Sequence, residues 1–349
     1  MQAPAPHRIG FLLIPGFSLL SYASAVEPLR AANRLSGRSL YKWLHVSSQG
    51  RAVEASSGLG IAADHRVGDD CPLDMILVCA GGNPALHRNA STLSWLRKLA
   101  RRGVRVGGIS GGPYILARAG LLDGFRCTIH WEHLASFEEQ FPQLDIRRSL
   151  YEVDRGRLTC AGGIAGFDMM RAIIAAEHGS ALATAVSEWF LQTQLRAGSG
   201  PQRLTLRERY GVAHPKLLDA LRAMEDSIDN PMSRAELARA VSLSVRQLER
   251  LFAGHLRTTI GDLYLKIRLD RARTLVHETA LPLLEVAIAC GFANGSHFSR
   301  AYRKRFGVSP KRDRQSAETS ADAGSGQASS RSKTRPATAL KSRAKRLST

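Results

Sequence analysis

The spacing of apolar residues in the C-terminal half of the chain predicts helices, and part of that pattern occurs twice. Between Glu236 and Leu256 the apolar side chains lie three or four residues apart, as one face of a helix requires. A similar stretch follows at offsets of 49 and 50 residues. Glu236-Leu237-Ala238 corresponds to Glu285-Val286-Ala287, and Arg250, Phe252 and Leu256 correspond to Arg300, Tyr302 and Phe306. We therefore expect two copies of one helical unit.

Each copy is typical of two helices joined by a tight turn. Ala238 and Ala287 are small enough for the helices to cross closely, and Gly291 suits a turn with positive φ. Ser244 and Ser296 are expected to cap the second helix of each copy. The exposed side of those second helices then carries Arg246, Gln247, Arg250, Ser296, His297, Arg300 and Arg303. Such groups read base edges or hold phosphates, so the pattern predicts DNA binding.

Residues 260–277 are expected to form one helix that connects the two copies. They contain no proline, and their apolar residues have helical spacing. The helix would span roughly 27 Å at 1.5 Å per residue. With its flanking turns it approaches the roughly 34 Å between successive major-groove faces, so both copies could enter adjacent grooves. The alternative is a helical bundle whose arginines are only a solvated face.

A family resemblance supports the DNA-binding interpretation. Residues 231–310 resemble the AraC/XylS-type DNA-binding domain, most closely at 291–292, 296–300 and 306–310. This resemblance implies promoter DNA as the ligand, and we expect RNA polymerase as a partner. The formal net charge of +19 agrees, because residues 201–314 hold 21 basic and only 12 acidic side chains. The all-α DNA-binding domain is expected at 215–314, with a disordered basic tail at 315–349.

The N-terminal part has a different pattern, in which short apolar runs alternate with amphipathic stretches. This pattern predicts an α/β domain at 1–200 with a flavodoxin-like, doubly wound sheet, followed by a linker at 196–201. The expected strands are Ile9–Ile14, Met75–Cys79 and Val104–Ile109, and the clearest helices are Leu86–Arg102, Pro113–Ala119 and Phe167–Gln194. The five cysteines are widely spaced and show no metal-ligand pattern. We expect reduced thiols, no metal, no cofactor, no membrane contact and a cytoplasmic protein.

A G-x-S-x-G sequence lies at the end of the third expected strand. It reads Gly108-Ile109-Ser110-Gly111-Gly112 and fits the nucleophile elbow of hydrolases. A serine hydrolase or amidase is therefore one hypothesis. Its other parts would come from His130 or His133 as base, Asp145 or Asp168 as orienting carboxylate, and the amides of residues 80–82 as oxyanion hole. The alternative is a glycine-lined turn that lets a ligand approach.

The same domain resembles the PfpI-type, class I amidotransferase-like domain that precedes an AraC-type module in the GlxA family of bacterial regulators. The matching segments are 11–13, 15–17, 27–30, 74–82, 112–124, 128–131 and 161–163, with Asp168. Catalytic relatives have a cysteine at the elbow, commonly followed by a histidine, where this chain has Ser110 and Gly111. A hydroxyl without a neighbouring base is a weak nucleophile at neutral pH. We therefore expect a sensor and not an enzyme.

The resemblance also implies a ligand and the residues that bind it. Glu27 is expected beside the elbow, where it would supply a counter-charge for a cationic amine. The other expected ligand-binding residues are Phe17, Tyr22, Ser110, Tyr114, His130 and Trp131. For each aromatic residue the alternative is ordinary core packing. The effector is expected to be an amine, an amino acid or a quaternary ammonium compound, and the protein a homodimeric transcription activator.

Overall fold

The computed structural model describes residues 5–316 and Thr319. Its N-terminal part is built on strands and its C-terminal part on helices. The strands are β1 (His7–Leu13), β2 (Tyr41–Ser47), β3 (Val53–Glu54), β4 (Gly60–Ile61), β5 (His65–Arg66), β6 (Met75–Ala80), β7 (Arg105–Ser110), β8 (Arg126–Cys127), β9 (Asp145–Ile146), β10 (Tyr151–Asp154) and β11 (Arg157–Cys160). The three expected strands are thus confirmed as β1, β6 and β7.

Helices connect these strands and then continue alone. They are α1 (Leu19–Ser36), α2 (Ala90–Arg101), α3 (Gly112–Arg118), α4 (Leu134–Gln140), α5 (Ala165–His178), α6 (Ser180–Trp189), α7 (Leu206–Tyr210), α8 (Pro215–Asp226), α9 (Arg234–Ala240), α10 (Val245–Leu251), α11 (Ile260–Glu278), α12 (Leu283–Ala289) and α13 (Gly295–Phe306). Pro84–Leu86 forms a 3-10 turn, Phe252–Leu256 a π-helical turn, and residues 310–316 are helical. Within the described residues, no helix is long and apolar enough to cross a membrane.

A seven-stranded sheet of order β10-β11-β7-β6-β1-β2-β5 forms the centre of the α/β domain. Every neighbouring pair is parallel except β10 and β11. All residues of β6 are buried, as expected for a strand covered by helices on both faces. Helices α1, α5 and α6 cover one face and α2, α3 and α4 the other. The expected doubly wound α/β fold is confirmed.

Two of the expected helices have different bounds because local signals interrupt them. The prediction of a single helix at 167–194 is wrong, since Gly179 adopts φ 93° and separates α5 from α6. The helix expected from Leu86 begins only at Ala90. Asn89 caps it there, because its side chain accepts a hydrogen bond of 3.0 Å from the Thr92 amide.

The helical domain contains the repeat in three dimensions. Helices α9 and α10 form the first HTH unit, and α12 and α13 form the second. Leu237 and Ala238 of the first unit are buried, as are the corresponding Val286 and Ala287 of the second. Helix α11 connects the units, and its two ends pack into two separate apolar clusters. The sequence repeat is thus a repeat of the core.

The segment between the two domains lies against the α/β domain. The Gly198 carbonyl accepts a hydrogen bond of 2.7 Å from the Leu150 amide. The Gln202 side-chain nitrogen donates to the carbonyl oxygens of Ile129 and Ser149 at 2.9 and 2.7 Å. The expected linker at 196–201 is therefore held in place. Of the basic tail expected from residue 315, all but residues 315, 316 and 319 lie outside the described residues.

Candidate functional site

Ser110 ends β7 in a backbone conformation that few serines adopt. Its φ is 60°, in the left-handed region, which costs of order 1–3 kcal/mol for a non-glycine residue. The loop at Gly162 passes close by. A Cβ atom on Gly162 would lie 2.6 Å from the Ser110 Cβ atom and 2.8 Å from the Ser21 hydroxyl, so only glycine fits. The elbow at Ser110 is therefore confined between that loop and the start of α1.

Ser21, and not Glu27, is the α1 residue beside the elbow. The Ser21 hydroxyl accepts a hydrogen bond of 2.8 Å from the Gly163 amide, next to Ser110. Glu27 lies six residues further along α1, about 240° around the helix axis, and pairs with Arg30 at 2.6 Å. The expectation that Glu27 supplies a counter-charge at the elbow is wrong, because the helix turns it away.

The parts of a hydrolase are not assembled around Ser110. The His133 Nδ1 atom lies 2.8 Å from Glu278, and Asp168 is paired with Arg196. Asp145 is paired with Arg147 at 2.7 Å. Within the described part of the chain, no hydrogen bond joins the Ser110 side chain to a histidine.

His130 contacts the elbow through its backbone. Its amide donates to the Ser110 carbonyl at 3.3 Å. Burial, together with the nearby His133, lowers the pKa of the His130 side chain and favours a neutral ring at pH 7. His130 can therefore offer a neutral donor or acceptor to a bound molecule.

Three of the four aromatic residues expected to face a ligand belong to the core. Tyr114 is fully buried and packs against Phe137 at a ring distance of 5.5 Å. Phe17 is fully buried against Tyr22, with the two rings perpendicular. The Tyr22 hydroxyl lies 2.7 Å from the His45 ring, and burial raises the pKa of Tyr22 to about 12. The three side chains pack in the core in this structure, as the alternative expects, and their contact with a ligand stays a prediction.

Trp131 is the exception. It is 43% exposed, and its ring lies beside the His130 ring at 5.4 Å. The guanidinium of Arg203, two residues after the linker, stacks over Trp131 at 4.6 Å from the ring centre. Of the expected ligand residues, the structure thus brings Ser110, His130 and Trp131 together, and it adds Ser21.

In the first HTH unit, the expected N-cap is confirmed. The Ser244 hydroxyl accepts a hydrogen bond from the Gln247 amide at 3.3 Å, and the Gln247 side chain accepts from the Ser244 amide at 2.8 Å. This reciprocal pair fixes the start of α10. Arg246, Gln247 and Arg250 are all exposed on that helix. Their position on a DNA-facing surface remains a prediction.

In the second HTH unit, the N-cap expected at Ser296 is wrong. Asn294 caps α13, since its side chain accepts a hydrogen bond of 2.8 Å from the His297 amide. The repeat offset of 50 residues indeed places Asn294 opposite Ser244. Ser296 instead lies in the first turn of α13 and is exposed. The other predicted DNA-binding residues of this helix, His297, Arg300 and Arg303, are also exposed.

The predicted DNA-binding helices, α10 and α13, carry arginines that are in no ion pair within the described residues. Within residues 5–316, no ion pair engages Arg246, Arg250, Arg300 or Arg303. The acidic Glu249 of α10 does not neutralise these arginines, because it is paired with Arg234 at 3.2 Å. Exposed, unpaired arginines are available to phosphates and base edges.

Arg268 has a structural role that the sequence patterns do not reveal. From α11 it donates hydrogen bonds to the carbonyl oxygens of Cys290 and Gly291 at 2.8 and 2.5 Å, and it stacks on Phe292 at 4.2 Å. Gly291 has φ 72°, as expected, and a Cβ atom there would lie 2.5 Å from Pro231. Arg268 thus holds the turn of the second HTH unit, whereas composition alone would assign this arginine to phosphate.

A doubly wound α/β domain joined to two HTH units with free arginines defines a class of protein, the DNA-binding regulators. Comparison with known proteins gives the family. Residues 7–176 match the DJ-1/PfpI family, and residues 237–316 match a helix-turn-helix domain.

Three relatives are similar along most of the chain. The HTH-type transcriptional regulator CdhR of Pseudomonas aeruginosa is 45% identical over 87% of this chain and 90% of its own length. GbdR of the same species is 44% identical over 89% of this chain and 84% of its own length. GlxA of Rhizobium meliloti is 44% identical over 87% of this chain and 94% of its own length. The chain belongs to this family of HTH-type transcriptional regulators, with a DJ-1/PfpI domain and an AraC-type helix-turn-helix domain.

Proposed function

We propose that this regulator binds a small-molecule effector at the Ser110 elbow and does no chemistry on it. The observation that carries the proposal is that His133, Asp145 and Asp168 are each paired with another residue, as with His133 and Glu278 at 2.8 Å. His130 meets Ser110 through its backbone amide. In this proposal residues 1–200 form the sensor, and residues 215–314 bind promoter DNA in the cytoplasm. The protein acts as a homodimeric activator that contacts RNA polymerase.

The proposed effector is a small amine, an amino acid or a quaternary ammonium compound. The stacking of the Arg203 guanidinium on Trp131 supports this class, because a ring face that holds one cation is suited to hold another. A cationic effector would take the place of Arg203 on the ring. The Ser110 hydroxyl can bind its polar groups, whereas the Ser21 hydroxyl already donates to Ser18 and accepts from the Gly163 amide.

A thermal-shift experiment on the full chain tests the effector class. The probes are glycine betaine, carnitine and arginine. The control is 3,3-dimethylbutyrate, in which an uncharged tert-butyl group replaces the trimethylammonium group of betaine and the carboxylate is kept. A ligand at 100 times its Kd stabilises the native state by about 2.7 kcal/mol, which raises the melting temperature. Stabilisation by a probe with a cationic group, and not by the tert-butyl control, is the expected result. If none of the cations stabilises the protein, the proposed class is wrong, although the regulator assignment stands.

Trp131→Ala locates that binding site, and Trp189 offers a matched control. Trp189 is 45% exposed, and Arg34 lies over its ring at 5.3 Å, so both tryptophans stack an arginine on the surface. We expect Trp131→Ala to abolish the cation-induced shift and Trp189→Ala to preserve it. Equal loss in both variants would place the effector away from Trp131.

Ser110→Ala separates a sensor from an enzyme. A sensor loses at most one hydrogen bond to the effector, so its affinity should fall by about 0.5–1.5 kcal/mol while the transcriptional response persists. A serine hydrolase would lose turnover by many orders of magnitude. Mass spectrometry for a covalent adduct on Ser110, together with assays of amide and ester hydrolysis, makes the distinction. Hydrolysis that depends on Ser110 would overturn the sensor proposal.

Transcription and assembly are tested on the same purified chain. Run-off transcription with RNA polymerase should rise with protein and effector if the chain is an activator. Sedimentation at micromolar concentration should give a dimer. Repression of the same template, or a monomer at that concentration, would correct the respective part of the proposal.

A further inference from the structure

A buried carboxylate fastens the end of α11 to the α/β domain. Glu278 is the last residue of α11 and is only 7% exposed. One carboxylate oxygen lies 2.8 Å from the His133 Nδ1 atom, and the other accepts a hydrogen bond of 2.8 Å from the Ser136 hydroxyl. Both partners are themselves buried. His133 lies at the start of α4, and Ser136 lies on that helix. A buried charge with both oxygens satisfied is costly to disturb, because either remaining partner would lose its hydrogen bond.

Further contacts surround this carboxylate and make the joint between the domains. The Gln140 side chain donates to the Glu278 carbonyl at 3.5 Å, and the Asn83 side chain donates to the His277 carbonyl. Ala135 of α4 belongs to the apolar cluster that forms the core of the second HTH unit. The α/β domain thus contributes an apolar residue and several polar contacts to this one end of α11.

On the α/β side, the joint leads directly to the elbow. The His133 amide donates to the His130 carbonyl at 2.9 Å, and the His130 amide donates to the Ser110 carbonyl at 3.3 Å. Two backbone hydrogen bonds therefore separate the partner of Glu278 from the proposed effector site. A molecule that binds at Ser110 or His130 and moves the His130 backbone therefore also moves His133, the partner of Glu278.

On the other side, the joint leads directly to the second HTH unit. Only residues 279–282 separate Glu278 from α12. The first HTH unit has no such connection, since among the described residues no hydrogen bond or ion pair joins α9 or α10 to the α/β domain. The contact is therefore specific to one of the two units.

We propose that Glu278 is the positioning residue through which the elbow and the second HTH unit influence each other. The inference rests on the proposed effector function of the elbow. Effector binding moves the turn at 130–133, His133 and Ser136 pass that movement to Glu278, and the end of α11 reorients α12 and α13. Coupling between two binding sites is reciprocal, so DNA bound to the second HTH unit must in turn alter the turn beside Ser110.

This reciprocity permits a test that does not require the effector. Hydrogen–deuterium exchange is measured on the full chain, free and bound to a DNA duplex that the wild-type chain has selected from a random pool. In the wild type, DNA binding should change the exchange of residues 130–140. In Glu278→Ala, those amides should exchange about tenfold faster in the free chain, because hydrogen bonds to a charged group are lost. The variant should still bind the duplex, and the DNA-dependent change at 130–140 should disappear.

Two further variants define the result. Glu188→Ala is the matched control, because this exposed glutamate on α6 is in no ion pair within the described residues, and it should behave as the wild type. Ser136→Ala removes one of the two Glu278 contacts and should weaken the DNA-dependent change, which tests the proposal even if Glu278→Ala does not fold.

The proposal is overturned if wild-type chain bound to DNA shows no change at 130–140, or if folded Glu278→Ala retains the change. It is likewise overturned if Ser136→Ala, in the absence of a folded Glu278 variant, leaves the change at its wild-type size. The thermal-shift experiment reports independently on the effector. A chain that transmits the DNA signal but binds no cation would refute the effector class and keep the coupling.

Discussion

The two HTH units have the same core and are held in different ways. Leu248 in the first and Phe298 in the second occupy corresponding buried positions between their helices. The second unit is also fixed by Arg268 at its turn and by Glu278 at the end of the preceding helix. The repeat therefore provides two similar surfaces for the predicted DNA contacts, whereas the differences between the copies provide a connection to the α/β domain.

The largest expected effect is on the shared core. Phe298→Ala should destabilise the second unit by about 3–5 kcal/mol, and Leu248→Ala the first by about 2–5 kcal/mol, because each leaves a cavity in a closed cluster. Hydrogen exchange resolves the units, and each variant should increase exchange mainly in its own. If either substitution loosened both units equally, the two clusters would be one cooperative core.

Arg268→Met should destabilise the turn of the second unit by about 1.5–3 kcal/mol, since the charged side chain donates to two carbonyl oxygens. Arg268→Lys should rescue little, because an ammonium group cannot reproduce the guanidinium fork. The measurement is exchange of the amides at 290–294, with Arg222→Met on the surface of α8 as control. Faster exchange in the first unit alone would contradict the assigned role.

Loss of one recognition arginine should weaken DNA binding to a similar extent in either unit. Arg250→Ala and Arg300→Ala should each cost roughly 1–3 kcal/mol on the selected duplex if the guanidinium contacts a base. Binding is measured by fluorescence anisotropy on that duplex and on a scrambled one. Equal losses on both duplexes would assign these residues to phosphates, and unchanged binding in both variants would remove them from the interface.

The smallest expected effect compares the helix caps. Ser244→Ala and Asn294→Ala should each destabilise their unit by about 1 kcal/mol. Ser296→Ala should change stability by less than about 0.5 kcal/mol, because Ser296 is an exposed residue that does not cap the helix. Thermal unfolding of the three variants gives the order. A greater loss for Ser296→Ala than for Asn294→Ala would restore the serine as the cap.

The elements that the sequence predicts well are those with a periodic apolar pattern. The three central strands and the matching buried positions Leu237 and Val286 follow from local spacing alone. The family resemblance predicts Glu27 beside the elbow, whereas the phase of α1 turns this side chain away. The role of Ser21 could have been found by counting turns of that helix.

Other features depend on contacts between distant parts of the chain. Glu278 and His133 are 145 residues apart, and no local pattern indicates that they pair. In the sequence, Arg268 is one arginine among many in a basic domain, as a phosphate-binding residue would be. Its contacts with the turn are seen only in the folded structure. Aromatic residues such as Tyr114 fit both a ligand site and a core, and packing decides between them.

The anchored side chain of Gln202 also sets a limit of length. Its amide is fixed to the α/β domain, and α7 begins only four residues later at Leu206. Four residue steps of fully extended chain span at most about 14 Å. While Gln202 stays bound, the start of the helical domain cannot move beyond that radius. If two chains pair through their α/β domains, as proposed, this tether limits how far apart their helical domains can lie, and thus the range of half-site spacings that one dimer can bind.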